Sequence, residues 1–231
     1  MRPRIVLVHG SLSSAQEWAG YADLLPEAEI VAIDLPGHGA RAGEPFTTDA
    51  AVGLIAAAVD GRAPGQPVVL AGHSLGGYMA CVYAARHPER LAGLVLLGSS
   101  ADPAGRLAVI YRGFAWLVER VSHERTARLR NRVARMLGLS DDQIPDTSAY
   151  DALPASWRAV MADCPPELLT AVTCPVLLVN GQFDQMRLNE RRYLELARSS
   201  QLAIVPRATH LAPLTHAEQV ARHISDFVGS L

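Results

Sequence analysis

The stretch Val68-Val69-Leu70-Ala71-Gly72-His73-Ser74-Leu75-Gly76-Gly77-Tyr78-Met79-Ala80 decides how the rest of the chain is read. It opens on a short apolar run of the kind a strand buried on both faces needs, and the residues after Ser74 carry a helical pattern. Between the two lies Gly-x-Ser-x-Gly. Alone that pattern says little: with glycine and serine each at about 7% of residues, roughly one chain in twelve of this length contains it by chance. The strand before it and the helix after it make it specific, because a tight strand-to-helix turn lifts a serine clear of the sheet. Glycines at 72 and 76 remove side chains that would clash across such a turn, and the N–H groups at the helix start favour negative charge developing beside Ser74. Ser74 is the candidate nucleophile. The alternative, an ordinary turn with Ser74 as a helix N-cap, does not account for the residues described next.

Outward from this segment, short apolar runs alternate with helical patterns, the signature of a parallel sheet covered on both faces. Strands are expected at 4–8, 29–33, 67–71, 91–97, 176–179 and 202–205, and their Val/Leu/Ile content suits burial on both faces. Helical patterns occupy 15–25, 48–59, 75–87, 189–198 and 215–228. The alternation fails once, between Leu97 and Cys174, where a helical pattern is interrupted by Pro145, Pro154 and Pro165-Pro166. That is too long for a structureless loop in a compact domain, so it reads as a helical cap over one edge of the sheet. The expected division is a core of residues 1–101 and 172–231 with a cap, or lid, at 102–171.

Composition narrows the chemistry. A chain of 231 residues suits one large α/β domain, and 49% hydrophobic with 19% charged residues is globular rather than disordered. A net charge of −2 gives no reason to expect nucleic acid or an anionic membrane surface as partner. No apolar run reaches the roughly 18 residues that cross a bilayer, and the segment after Met1 reads as a core strand rather than a secretory leader. Cys81, Cys164 and Cys174 are odd in number and lack metal spacing, so they read as free thiols in a reducing, cytoplasmic setting; their positions leave a Cys164–Cys174 pair open. Every basic side chain among the 21 Lys and Arg positions is arginine. Lysine Schiff bases, a phosphate-loop lysine and a Ser-Lys dyad are therefore excluded.

A serine nucleophile needs an imidazole to take its proton and a carboxylate to fix that imidazole's tautomer. Of eight histidines, His210 follows the last strand in Val205-Pro206-Arg207-Ala208-Thr209-His210, on a loop at a C-terminal strand end just before the final helix. That is the end at which Ser74 emerges. His87 suits a helix terminus, His216 and His223 the last helix, His123 the cap and His38 a turn; His9 reads as structural, and His73 should point away from the nucleophile. Asp184, in Asn180-Gly181-Gln182-Phe183-Asp184, opens a loop after the penultimate strand and is the first choice as acid. Asp102, after the preceding strand, competes with it, and Asp34 reads as structural. The order Ser, Asp, His then fits a sheet that carries its site at the C-terminal strand ends. The amides of Leu75 and Ser11, the latter in His9-Gly10-Ser11-Leu12 after the first strand, are the expected oxyanion donors.

The residues His9-Gly10, Asp34-Leu35-Pro36-Gly37-His38-Gly39, Gly72-His73-Ser74-Leu75-Gly76-Gly77, Gly181-Gln182-Phe183-Asp184 and His210 stand in the order of the α/β-hydrolase superfamily. The chain most resembles its small esterase-like members with a helical cap, over all but the cap. The resemblance implies a doubly wound sheet of about six strands, all parallel, because the chain begins at what the family counts as its third strand. The cap would be inserted after the fourth strand of this chain. It also implies catalysis through an acyl-enzyme with no metal and no organic cofactor. One departure stands out: the family usually has an acidic residue two positions before the catalytic aspartate, where this chain has Gln182.

The expected reaction is hydrolysis of a carboxylic ester, thioester or lactone of a small or medium apolar molecule, by a monomer or homodimer. Two other readings stay open: C–C bond cleavage or elimination with the same triad, and a non-enzymatic ligand receptor. Leu107, Ile110, Tyr111, Phe114, Trp116, Leu117, Trp157 and Met161 would pack the cap, with some lining an apolar pocket. Arg120, Arg125, Arg128, Arg130, Arg132 and Arg135 read as a solvated helix face, or as the source of one arginine that recognises an anionic substrate group.

Overall fold

A computed structural model describes residues 1–103, 105, 132 and 149–231. Six strands form one sheet: β1 Arg4–Val8, β2 Glu29–Ile33, β3 Val68–His73, β4 Gly93–Leu97, β5 Val176–Gly181 and β6 Ser200–Val205. Their spatial order is β2-β1-β3-β4-β5-β6, and every neighbouring pair is parallel. The chain leaves β1 toward β2 at one edge, then returns to lay β3 on β1's other side. The order reverses there, which opens a crevice at the C-terminal ends of β1 and β3. Val8 pairs with Gly72, so the segment after His9 and the one after His73 leave the sheet side by side.

Alternate residues of the strands feed two cores. On one face Val6, Val8, Leu70, Leu94, Leu96 and Leu178 pack against Val52 and Ile55 of α2 (Thr48–Asp60) and Met79 and Val82 of α3 (Leu75–Arg86). On the other, Ile5, Leu7, Val69, Val95, Leu97 and Val179 meet Tyr21 of α1 (Tyr21–Leu24) and Ile224 and Phe227 of α7 (Ala217–Gly229). The central strands β3, β4 and β5 are buried along their whole length. The edge strands β2 and β6 are not: three of the five residues in β2 are half-buried and two are exposed, and Leu202 of β6 is exposed. The expectation of two-faced burial thus holds for the sheet's centre and fails at its rims, where one neighbour and part of the helical cover are missing.

Two expected helices are divided. The pattern at 15–25 becomes a 3-10 turn, Ala15–Trp18, and the one-turn α1, because Gly20 between them adopts φ +82. The pattern at 215–228 becomes α6 (Ala212–Thr215) and α7, separated by His216, whose backbone (φ −136, ψ 38) is not helical. Of the segment between β4 and β5, the described part forms α4 (Ala149–Asp163), which contains Pro154 rather than stopping at it, and a 3-10 turn, Pro166–Ala171. α4 lies against α2 and α3. Between β5 and β6 lies α5 (Glu190–Leu196). All three cysteines are free and buried, which closes the Cys164–Cys174 alternative; burial pushes the Cys81 thiol up to about 12.

Candidate active site

Ser74 sits between β3 and α3 with φ 50 and ψ −115, a conformation that a residue with a side chain holds only when its surroundings enforce it. Two hydrogen bonds enforce it here: Ser74 N–H donates to the Leu97 carbonyl at 2.8 Å, and Tyr78 N–H donates to the Ser74 carbonyl at 3.1 Å. The turn is also clamped sterically. A side chain at Gly72 would run into the Gly76 backbone, and one at Gly76 into the Val8 and His9 carbonyls, so both glycines are required by close backbone approach. Leu12 and Arg207 are the other described non-glycine residues with positive φ. They lie in the loops that leave β1 and β6, so all three sit at the same end of the sheet.

That end gathers the candidate residues. His210 Nε2 lies 3.0 Å from Ser74 Oγ, and His210 Nδ1 lies 3.0 Å from Asp184 Oδ1. A carboxylate only accepts, so Nδ1 carries the proton and Nε2 is left to accept from the Ser74 hydroxyl. Asp184 Oδ1 also accepts the Met186 N–H at 2.7 Å. Burial pushes the Asp184 carboxyl up, but the His210 hydrogen bond and charge, with the Met186 amide, outweigh it and hold the group below the ordinary aspartate value. Gly98, at φ +54, backs the pair: a Cβ there would fall 2.8 Å from Asp184 Oδ2 and 3.0 Å from His210 Nδ1. Nothing in the sequence pattern singled out Gly98, since a glycine at a strand end has many uses.

The loop after β1 is fixed as firmly. His9 Nδ1 lies 2.8 Å from the Gly10 carbonyl, while His9 Nε2 accepts the Leu35 N–H at 3.0 Å. The ring is therefore neutral with its proton on Nδ1, and burial holds its pKa below the ordinary histidine value. In a trans peptide the carbonyl and the following N–H point opposite ways. Holding the Gly10 carbonyl on the His9 ring thus turns the Ser11 N–H to the other side.

The other expected residues fall as follows. Asp34 accepts from the Ala15 and Ala40 amides at 2.7 and 2.9 Å, a structural use. Asp102 is engaged by Arg192 at 2.8 Å, while Asp184 holds His210. His38 donates within its own turn to the Pro36 carbonyl, with its pKa lowered to about 4 chiefly by burial. His73 points away from Ser74: its Nδ1 lies 2.6 Å from Glu17 Oε1. Glu17 is buried, and its contact with His73 was not legible in a linear sequence. Gln182 Oε1 accepts the Arg207 N–H at 2.9 Å, tying the acid loop to the loop that carries His210. An amide oxygen thus serves where the family pattern has a carboxylate.

Beside Ser74 opens a pocket lined by Ser11, Leu75, Tyr78, Ala101, Pro103, Trp157, Val160, Met161 and Met186. The Tyr78 hydroxyl is used on the Ala101 carbonyl. The described wall is therefore apolar apart from the two serines. Leu107, Ile110, Tyr111, Phe114, Trp116, Leu117, His123 and the arginines at 120, 125, 128, 130 and 135 lie outside the described residues; Arg132 is helical and exposed. Among the described residues no cluster of three or more His, Cys, Asp or Glu is placed to hold a metal ion, and no helix is long and apolar enough to cross a membrane.

Comparison with known proteins bears on the family and the fold. A family model described as the alpha/beta hydrolase family matches residues 5–223. The lipase LipV of Mycobacterium tuberculosis is 34% identical over 183 residues, which are 78% of this chain and 60% of that protein. A pimeloyl-[acyl-carrier protein] methyl ester esterase of Neisseria meningitidis serogroup C is 29% identical over 97% of this chain and 93% of its own length. Among solved structures, a thermophilic esterase from Thermogutta terrifontis superposes with a TM-score of 0.79 at 26% identity, covering 99% of this chain and 90% of that one. With the family model spanning nearly the whole chain and a six-stranded parallel sheet carrying the strained serine turn, this protein belongs to the alpha/beta hydrolase family and is a hydrolytic enzyme.

Proposed function

We propose that this enzyme is a serine esterase in which Ser74 is the nucleophile, His210 the general base and Asp184 the acid that orients it. The observation that carries the reading is the unbroken chain of two 3.0 Å contacts, Asp184 to His210 and His210 to Ser74, ending beside an apolar pocket. Names of the relatives, a lipase and two esterases, support ester cleavage as the reaction class.

In this mechanism the Ser74 hydroxyl gives its proton to His210 Nε2 as its oxygen attacks the ester carbonyl. Asp184 keeps the imidazole in the tautomer that can accept and stabilises the imidazolium that forms. The amides of Ser11 and Leu75 hold the oxyanion; the His9 contact that turns Ser11 N–H away from the Gly10 carbonyl, and the place of Leu75 at the start of α3, support those assignments. His210 then returns the proton to the leaving alcohol, and a water activated by the same imidazole releases the acyl group from Ser74. Each oxyanion donor contributes roughly 10²–10³ in turnover.

The apolar wall suits a small or medium apolar acyl or alcohol group, with thioesters and lactones open to the same attack. Residues 102–171 act as a cap: Trp157, Val160 and Met161 of α4 already form one side of the pocket. We place the enzyme in the cytoplasm as a monomer or homodimer acting on a small molecule.

Hydrolysis of p-nitrophenyl esters from acetate to palmitate, by wild type and by Ser74→Ala, tests the reading. Turnover by wild type with a loss of roughly 10⁴–10⁶ in the variant is expected. A wild type inert to every ester, yet labelled on Ser74 by a fluorophosphonate, would move the assignment to C–C cleavage or elimination.

A further inference from the structure

We infer that Glu17, acting through His73, is a positioning residue that ties the oxyanion loop to the backbone of the catalytic base. The inference rests on the serine-hydrolase reading of the site. Four contacts meet at this pair. Glu17 Oε2 accepts the Gly10 N–H at 3.0 Å, Glu17 Oε1 lies 2.6 Å from His73 Nδ1, and His73 Nε2 lies 2.9 Å from the His210 carbonyl. The fourth is covalent, since His73 immediately precedes Ser74. A single carboxylate thereby reaches the loop that presents Ser11, the residue beside the nucleophile and the segment that presents the base. There is no room for adjustment: a Cβ on Gly10 would fall 2.9 Å from His73 Nδ1 and 3.4 Å from Ser74 Cβ.

The protonation of the pair follows from its partners. A carbonyl oxygen only accepts, so His73 Nε2 carries a proton toward His210; the approach of Nδ1 to Glu17 Oε1 is not aligned as a hydrogen bond and is attractive as an ion pair when the ring carries a second proton. The groups facing His73 are Glu17 from the 3-10 turn, His9 from the loop after β1, Asp184 from the end of β5, and the His210 ring at 4.8 Å. Burial works against charge on the imidazole, yet Glu17 and Asp184 more than offset it, and the His73 pKa is raised. Burial likewise pushes the Glu17 carboxyl up, and the His73 charge and the Gly10 amide overcome it and hold the group low. The pair is an imidazolium–carboxylate unit sealed beneath the site.

The test is the kinetics of Ser74 labelling by a fluorophosphonate, in the full chain, for wild type, Glu17→Gln, His73→Gln and the double variant. Labelling separates the reagent's affinity, its maximal rate and the fraction of molecules labelled. In both single variants the maximal rate should fall roughly 10- to 100-fold, as displacement of reacting groups by a fraction of an ångström to one ångström does. Reagent affinity should stay within about twofold and labelling should still reach completion. The double variant, which removes both charges, should be no slower than the slower single one, because both act through one unit. Where Glu17→Gln fails to fold, the double variant carries the test with the same expected rate. Labelling at the wild-type rate would overturn the inference, as would a loss confined to the labelled fraction or additive losses in the double variant. A wild type that the reagent does not label at all would overturn the serine reading itself, and this inference with it.

Discussion

Two histidine–carboxylate pairs stand side by side in this molecule, their imidazoles 4.8 Å apart. In each, Nδ1 faces a buried carboxylate: Asp184 for His210, Glu17 for His73. They differ in what the far nitrogen meets. His210 Nε2 meets a hydroxyl that can give up its proton, on a ring with 19% of its side chain exposed. His73 Nε2 meets a carbonyl that can only accept, on a ring sealed from solvent. On the proposed readings, the same two functional groups serve as a proton carrier in one place and a fixed ion pair in the other. Residue type alone does not assign a role; the partner of the second nitrogen does.

The largest effects should separate the pairs by what they cost. Asp184→Asn leaves a neutral amide beside a part-exposed ring and favours the wrong tautomer, so kcat should fall roughly 10⁴-fold with little change in stability. Glu17→Ala strands a buried imidazole without its counter-charge and should cost about 3–5 kcal/mol in urea-unfolding stability. Equal stability losses in the two variants would break the contrast.

A smaller effect is a pH window. Glu17, lowered on folding from its ordinary 4.5, adds stability above that value and loses it as pH falls through the folded pKa. His73, raised from 6.5, adds stability that is complete below that value and is lost as pH rises through the folded pKa. The melting temperature of wild type minus that of the Glu17→Gln/His73→Gln double variant should therefore peak between pH 4.5 and 6.5. A flat difference would show that the pair is not charged. The smallest effect concerns the tie outside both pairs. Gln182→Ala should lose about 1 kcal/mol with the Arg207 amide bond, whereas Gln182→Glu, which keeps an acceptor there, should melt near wild type.

Much of this candidate site was legible in the sequence because its proposed chemistry is carried by punctuation. Strands β1 and β2 begin and end at the residues their apolar runs indicate, and Ser74, Asp184 and His210 each follow a strand closely enough to be placed at one end of the sheet. What escaped reading depends on contacts far apart in sequence. Glu17 looks like any polar residue in a helical pattern, and only the packing of the 3-10 turn beneath the loop after β1 buries it. His73 could be directed away from the nucleophile by the geometry of the turn, but not toward a named partner. The helical pattern at 15–25 breaks at Gly20, which takes a left-handed conformation there, one choice among several for a glycine.

The parallel sheet has one more consequence, for the order in which the enzyme comes into being. Ser74 and His210 are 136 residues apart, and Tyr21 of α1 donates to the carbonyl of Pro213, 192 residues further on. If His210 is the base, as proposed, a nascent chain has its serine long before it has its base, and β6 and the loop beyond it must be synthesised before a proton can leave Ser74. Such distant pairings form late and slowly. On the proposed mechanism, a chain released before residue 210 is chemically silent, and esterase activity reports that β6 and the loop beyond it have been made and folded.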